Sequence, residues 1–270
     1  MNVSPVPWHA DLGPAWLELG WAPTPRYLLR RDRVLHHLRT LRLGAVLEIG
    51  CGIGAMLHES AALGFHCTAL ETSTEAFHLA ERALELSPAE HIDLCQAARV
   101  EWRGRFQTLI ALEVLEHIDD DLGALRAWTD WLVPEGTMLI SVPAHTRRWG
   151  PADEWAGHVR RYERAELEQK LAACGLKIEA LECYGFPLGN LLDVFSRRAY
   201  QDGIIRRADG TPDRAANNDR SGIDRAGAVR AYRLLATMPG RLSLRAAFWL
   251  QNRFLTSELG TGFIVTARKT

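Results

Sequence analysis

Val46-Leu47-Glu48-Ile49-Gly50-Cys51-Gly52-Ile53-Gly54 is the stretch whose reading decides the fold. A short apolar strand carrying Glu48 runs straight into a turn whose glycines stand two apart. The residues that follow, 55–63, read as the start of a helix. That order lets backbone lie against a nucleotide-like ligand: glycine reaches conformations closed to other residues, and a helix start offers free N–H groups. Glycine spacing alone is weak, since dinucleotide-binding folds place similar turns here. Two acids sharpen it, Glu48 before the turn and Glu71 just after the next strand-like run, 65–70. An acid at the second position suits the paired hydroxyls of a ribose.

Outward from this stretch, strand and helix patterns alternate. Strands are expected at 45–49, 65–70, 91–94, 106–112 and 136–142, and helices at 54–63, 74–86 and 120–132. Pro88 ends one helix, and Pro134-Glu135-Gly136 makes a turn before a strand. Such alternation predicts a doubly wound α/β domain, a mostly parallel sheet covered by helices on both faces. A further helix at 164–174 stops at Gly175, in the position of a C-cap. Strands at 176–183 and 262–268 follow. Ahead of the core, 26–41 reads as an amphipathic helix with Leu28, Leu29, Leu35 and Leu38 in one stripe. Trp8, Trp16 and Trp21 precede it, and are expected to pack on the domain or roof a pocket.

Two further motifs complete the set: Leu70-Glu71-Thr72 and, at 111–118, ALEVLEHI. Together with VLEIGCGIG they resemble the class I S-adenosylmethionine (SAM) methyltransferases, above all the broad group that includes the ubiquinone-type O-methyltransferases. The resemblance covers 40–184 and resumes at 261–269. The turn reads G-x-G-x-G, whereas a dehydrogenase fingerprint would read G-x-G-x-x-G. The resemblance implies a Rossmann-like seven-stranded sheet whose last strand is antiparallel, with SAM as cofactor and S-adenosylhomocysteine as product. It places Gly50, Cys51, Gly52 and Gly54 against the methionine and ribose, and Glu48 on the turn's amides or the cofactor's ammonium. Glu71, with Thr72 beside it, takes the ribose hydroxyls. Gln96 by side chain and Ala97 by backbone hold the adenine. Glu113 lies near the reacting methyl, with Leu112 and Val114 packing on the cofactor.

Methyl transfer from a sulfonium is an in-line displacement, so the protein supplies orientation and, for a poor nucleophile, a base. Two constellations offer one. In Glu113-x-x-Glu116-His117, the imidazole is the natural proton acceptor near neutral pH. Relatives of the resembled group bring a divalent metal to acids of this stretch, but three adjacent polar residues rarely close a site, and no metal is expected. The bland alternative is that Glu116 caps or pairs while His117 packs. The second constellation is Asp153-Glu154-x-x-Gly157-His158-x-Arg160-Arg161-Tyr162. Its D-x-x-x-GH-x-RRY pattern is similar to one in the resembled subgroup. It offers His158 and Tyr162 to catalysis, with Trp155, Arg160 and Arg161 to an acceptor. The alternative is a structural clasp, Asp153 paired to an arginine and Tyr162 plugging the core.

Composition bounds the rest. Apolar residues make up 47% of 270 and charged residues 24%, with a formal net charge of -1, so no general polyanion partner is indicated. Five scattered cysteines argue against a disulfide framework or zinc knuckle. The N-terminus lacks the form of a secretory signal and no apolar stretch spans a bilayer, so a cytoplasmic protein is expected. The expected organisation is an N-terminal helical cap over 1–44, a SAM-binding domain over 45–184 and 261–270, and a helical, Arg-rich insertion over 185–260 on the substrate side. Residues 197–245 hold eleven Arg against five Asp and no Lys or Glu. Their centre, 206–224, reads as a mobile polar loop between apolar helices at 188–200 and 241–255. The N/D-P-P-Y/F clamp for exocyclic base amines is missing after the fourth strand, so a nucleic-acid acceptor is not expected. The expected activity is methylation of an O or N nucleophile on a small molecule. A lipid-linked or membrane-associated acceptor, reached through surface contact of the insertion, and a non-catalytic SAM-binding protein are the alternatives.

Overall fold

The computed structural model describes residues 8–221 and 226–270. Seven strands form the central sheet: β1 (Ala45–Ile49), β2 (His66–Leu70), β3 (Ile92–Cys95), β4 (Phe106–Leu112), β5 (Leu132–Pro143), β6 (Leu176–Tyr184) and β7 (Gly262–Lys269). Their order is β3-β2-β1-β4-β5-β7-β6. The first five are parallel, and β7 runs antiparallel between β5 and β6. The strand order reverses between β1 and β4, so the connections that leave their carboxyl ends run to opposite sides and open a crevice there. Buried on both faces, these strands need near-continuous apolar sequence, and Val46, Leu47, Leu109 and Ile110 are fully enclosed.

The described residues also hold ten α-helices, besides short 3-10 turns and a two-stranded ribbon (Trp8–His9 with Gly13–Pro14): α1 (Pro25–Leu38), α2 (Ala55–Ala62), α3 (Thr74–Leu86), α4 (Asp121–Trp131), α5 (Pro151–Ala156), α6 (Arg164–Ala173), α7 (Leu188–Gly203), α8 (Arg214–Ser221), α9 (Ala226–Leu235) and α10 (Met238–Gln251). Several starts are written in the sequence. Thr24 accepts from Tyr27 N ahead of α1, Ser73 from Ala76 N ahead of α3, and Asp120 from Gly123 N ahead of α4.

α1 is locked to the sheet by charge as well as by leucines. Arg31 and Glu59 form a buried ion pair with α2, one contact of which is 2.8 Å. Arg33 meets Glu182 of β6 at 2.7 and 2.8 Å. Trp16 and Trp21 are buried with Tyr27 and Leu28, and the same cluster takes in Ala228, Tyr232 and Leu244 of the insertion. The N-terminal segment and the insertion therefore share one apolar core above the start of α2.

Two expectations need correction. The polar centre at 206–224 was read as a loop, yet α8 forms over Arg214–Ser221; residues 222–224 lie outside the described residues. Asn217 explains the helix. It is fully buried, its amide donates to Ile205 O at 2.8 Å and Asp213 O at 2.7 Å, and its carbonyl oxygen accepts from Ile205 N. A residue that favours loops by composition serves here as a buried backbone plug. The turn expected at Pro134-Glu135-Gly136 sits inside β5 instead. Glu135 takes φ 60°, and the pairing with β4 slips between Phe106 and Thr108, which is a bulge.

Candidate active site

Three glycines at the end of β1 adopt left-handed backbone, with φ 68° at Gly50, 55° at Gly52 and 84° at Gly54. No L side chain takes that conformation freely. At Gly50 space is also short: a Cβ would come 2.6 Å from Val114 Cγ2. Val114, expected to pack on the cofactor, packs against the turn at Gly50, while Leu112 lines the cavity. The turn is further fixed by Glu71, whose carboxylate accepts from Gly52 N and from Ser73 N, both at 2.9 Å. Those two bonds lower its affinity for protons, while burial, the larger influence, raises it. Thr72, Gln96 and Ala97 stand exposed on the same edge, after β2 and β3.

A cavity of about 690 Å³ opens from this turn. Glu48, Gly50, Cys51 and Gly52 line one end, and Trp21, Tyr27 and Arg30 close it from the N-terminal side. Its far end reaches His117, His158, Trp155 and Arg161, with Tyr200 of α7 and Ala228 of α9 beyond. Three buried polar atoms around the near end have no partner: Glu48 Oε2, Arg30 Nε and Tyr27 OH. Burial, with repulsion from Glu71, pushes the Glu48 carboxyl up to about 8. An unpartnered carboxyl oxygen and an unpartnered guanidinium N–H lining the same hollow suit the ammonium and carboxylate of a methionyl group.

Glu113, the residue after β4, sits in left-handed backbone, φ 56°, a conformation that a non-glycine residue holds only under constraint. That turn swings its carboxylate into the cavity. It accepts from Ser141 Oγ at 2.9 Å and Tyr184 OH at 3.2 Å, and Arg30 Nη1 stands 3.6 Å away. Arg30, Tyr27 and Tyr184 were not anticipated. The pattern of helix 26–41 shows only its leucine stripe, and Arg30 stands next to Leu29 with no polar signal of its own. Tyr184 closes a strand and gave no polar signal.

Beyond Glu113 the two sequence constellations meet. His117 and His158 pack edge to face, ring centres 4.9 Å apart. Burial, then the neighbouring His158, drops His117 to about 3, so it is neutral at physiological pH. His158 Nδ1 lies 2.9 Å from Asp153 Oδ1, and its Nε2 lies 3.7 Å from Glu116 Oε1. Glu116 is wholly buried, neither carboxylate oxygen has a hydrogen-bond partner, and burial pushes it well above the carboxylate range. Ligand atoms of Glu116, His117 and His158 all lie within 4.8 Å of one another, so this trio can hold a divalent cation.

Part of the second constellation does structural work. Asp153 holds Arg161 Nε at 2.7 Å, and Arg161 also donates to Ala144 O. Tyr162 is fully buried, its hydroxyl donating to Asp121 at 2.9 Å, and it does not reach the cavity. Arg160 turns away to Asp119 O and Asp121. A catalytic Tyr162 and an acceptor-binding Arg160 are therefore corrected: both are spent on fastening the start of α4. Trp155 and Arg161 do line the cavity.

Comparison with known proteins agrees with this geometry. Residues 25–181 match the family described as "Methyltransferase domain". The chain belongs to that family: it is a class I methyltransferase domain, and SAM is its cofactor. It is similar to a ubiquinone biosynthesis O-methyltransferase of Caulobacter sp. (strain K31), 36% identical over 103 residues, 36% of this chain and 39% of that one. Its likeness to the protein of the same description from Xanthomonas campestris pv. campestris (strain B100) is 32% over 138 residues, 49% of this chain and 57% of the other. The chain thus spans between two fifths and three fifths of these relatives. Among solved structures, the [4+2]-cyclase SpnF superposes with TM-score 0.55 at 18% identity, over 97% of this chain and 88% of that one. Geranyl diphosphate C-methyltransferase from Streptomyces coelicolor A3(2) superposes with TM-score 0.52 at 14% identity, over 91% and 78%. At those identities the likeness establishes the fold alone. No helix among the described residues is long and apolar enough to cross a membrane.

Proposed function

We infer that this protein transfers the SAM methyl group to an oxygen or nitrogen of a small-molecule acceptor, with His158 as the proton acceptor. The observation that carries this reading is the single cavity running from the glycine turn to the paired histidines. When bound, the cofactor supplies an electrophilic methyl on a sulfonium. Glu48 and Arg30 hold the ammonium and carboxylate of its methionyl end, and Glu71 takes its ribose. Glu113, fixed by Ser141 and Tyr184, sets the polarity where the two ligands meet. Asp153 accepts from His158 Nδ1–H, which leaves the Nε2 lone pair for the acceptor's proton. His117, neutral and tucked against His158, keeps that ring in place. Trp155 offers a ring wall at the far end, which favours an apolar or aromatic acceptor.

A screen of phenols, amines and carboxylates with labelled SAM finds the acceptor. With it in hand, His158→Ala is expected to lower kcat by roughly 10²–10⁴-fold with little change in SAM affinity, and His117→Ala by less. If neither variant loses more than a few-fold, the base lies elsewhere or is not needed. A second reading, a lipid-linked acceptor, is favoured by exposed apolar residues on the insertion, among them Phe195 at 82% and Val194 at 71% exposure.

A further inference from the structure

On the far side of β5 from the base, three ligand-type side chains converge from segments distant in sequence. His145 follows β5, Cys183 is the penultimate residue of β6, and Glu258 lies between α10 and β7. Cys183 Sγ is 3.7 Å from His145 Nε2, and Glu258 Oε2 is 3.8 Å from the same nitrogen. All three ligand atoms lie within 4.8 Å of one another. Tetrahedral zinc, with Zn–S of about 2.3 Å and Zn–N of about 2.0 Å, sets its ligand atoms roughly 3.3–3.8 Å apart. None of the three residues lines the cavity.

We propose that His145, Cys183 and Glu258 bind a zinc-class divalent metal that staples the return of the insertion to the sheet. The donor set is imidazole, thiolate and carboxylate, which suits a borderline-soft ion and not magnesium or calcium. Three protein ligands leave one position for water. His145 is 3% exposed and Cys183 1%, so the interior half of the site is dry, while the half-exposed Glu258 gives the ion its way in.

The surroundings orient the ligands as metal sites require. Glu163 Oε2 lies 3.5 Å from His145 Nδ1, which turns Nε2 toward Cys183. Glu163 is itself held by Thr146 N at 2.8 Å and Thr146 Oγ1 at 2.7 Å. Arg164 binds Oε1 of Glu258 and leaves Oε2 facing the imidazole. The Phe263 ring packs edge-on against His145, ring centres 5.3 Å apart. Burial pushes the Cys183 thiol up to about 11, so metal uptake must displace its proton. The site fastens what lies beside it: Cys183 N donates to Leu255 O, and Ala144 N to Thr261 O. The ion would tie those same three segments into one joint.

The test is spectroscopic and independent of methyl transfer. Cobalt(II) added to the metal-free full chain is expected to give a thiolate-to-cobalt charge-transfer band that saturates at about one equivalent. Cys183→Ser should abolish that band, and Glu258→Gln should weaken cobalt affinity at least tenfold. Glu258 is half exposed, so its variant reports even if Cys183→Ser fails to fold. Cobalt uptake without a thiolate band would place the ion elsewhere, on the cysteine-free Glu116, His117, His158 trio for instance, and would overturn the proposal. So would a band that survives both substitutions, or no uptake at all.

Discussion

Glu48 concentrates the residue-scale argument. Its carboxyl sits fully buried and is pushed up to about 8, first by desolvation and then by Glu71. A carboxyl whose folded value lies above its unfolded value favours folding in its protonated form. The contribution is therefore complete below about pH 4.5 and is lost as pH rises through 8, at a ceiling on the order of 4–5 kcal/mol. A cationic ammonium delivered to the Glu48 oxygen reverses that preference. Binding SAM at pH 7 is thus expected to release close to one proton, seen in calorimetry as a binding enthalpy that tracks the ionisation heat of the buffer. Glu48→Gln should lose the buffer dependence and gain unfolding stability above pH 6 in the ligand-free state; a buffer-independent wild type would detach Glu48 from the cofactor. Glu48 was legible in sequence because a strand, a glycine turn and an acid have a fixed order. Arg30 was not, because a cation on an amphipathic helix reads as solvated until the fold shows Glu113 beside it.

Among elements, the second histidine stretch matters most, because α5 and α8 are fitted together by Gly157. Gly157 closes α5 in left-handed backbone at φ 74°, and a Cβ there would come 2.5 Å from Arg214 O and 2.8 Å from Asn218 N. Both obstacles are backbone of α8 and cannot rotate away. Gly157→Ala is expected to cost at least about 2 kcal/mol, strain and displacement together. Thermal unfolding should report the loss, and hydrogen exchange should place it in α8 and not in β1 or β4. Protection lost evenly across the sheet would contradict the local joint. The same pair shows where sequence reading stops. Strands and helices of the sheet were readable because apolar periodicity and caps such as Ser73 and Asp120 act over a few residues. α8 was not readable, because Asn217 earns its helix from Ile205, twelve residues away in sequence.

At the scale of the whole molecule, the insertion carries exposed apolar side chains that the sheet does not explain. Phe195 and Val194 of α7, Leu242 and Trp249 of α10, and Leu234 of α9 are all more than half exposed. Arg253 stacks over Trp249 at 4.2 Å, and the surrounding segment, 197–245, carries six more arginines than aspartates. Exposed apolar side chains together with an arginine excess fit the alternative of contact with an anionic bilayer surface, where each arginine near phosphate contributes about 1 kcal/mol and apolar side chains bury at the acyl boundary. Sequence supplied the charge excess but not the exposure, since leucines on a helix read as core until their neighbours are placed. The protein is expected to sediment with phosphatidylserine-containing vesicles at low salt and to be released as salt screens the arginines. Phe195→Asp with Trp249→Asp should reduce the bound fraction at least tenfold while SAM binding holds, because neither residue lines the cavity. Equal sedimentation of the double variant, or none by the wild type, would remove the bilayer from the account and return the acceptor to free solution.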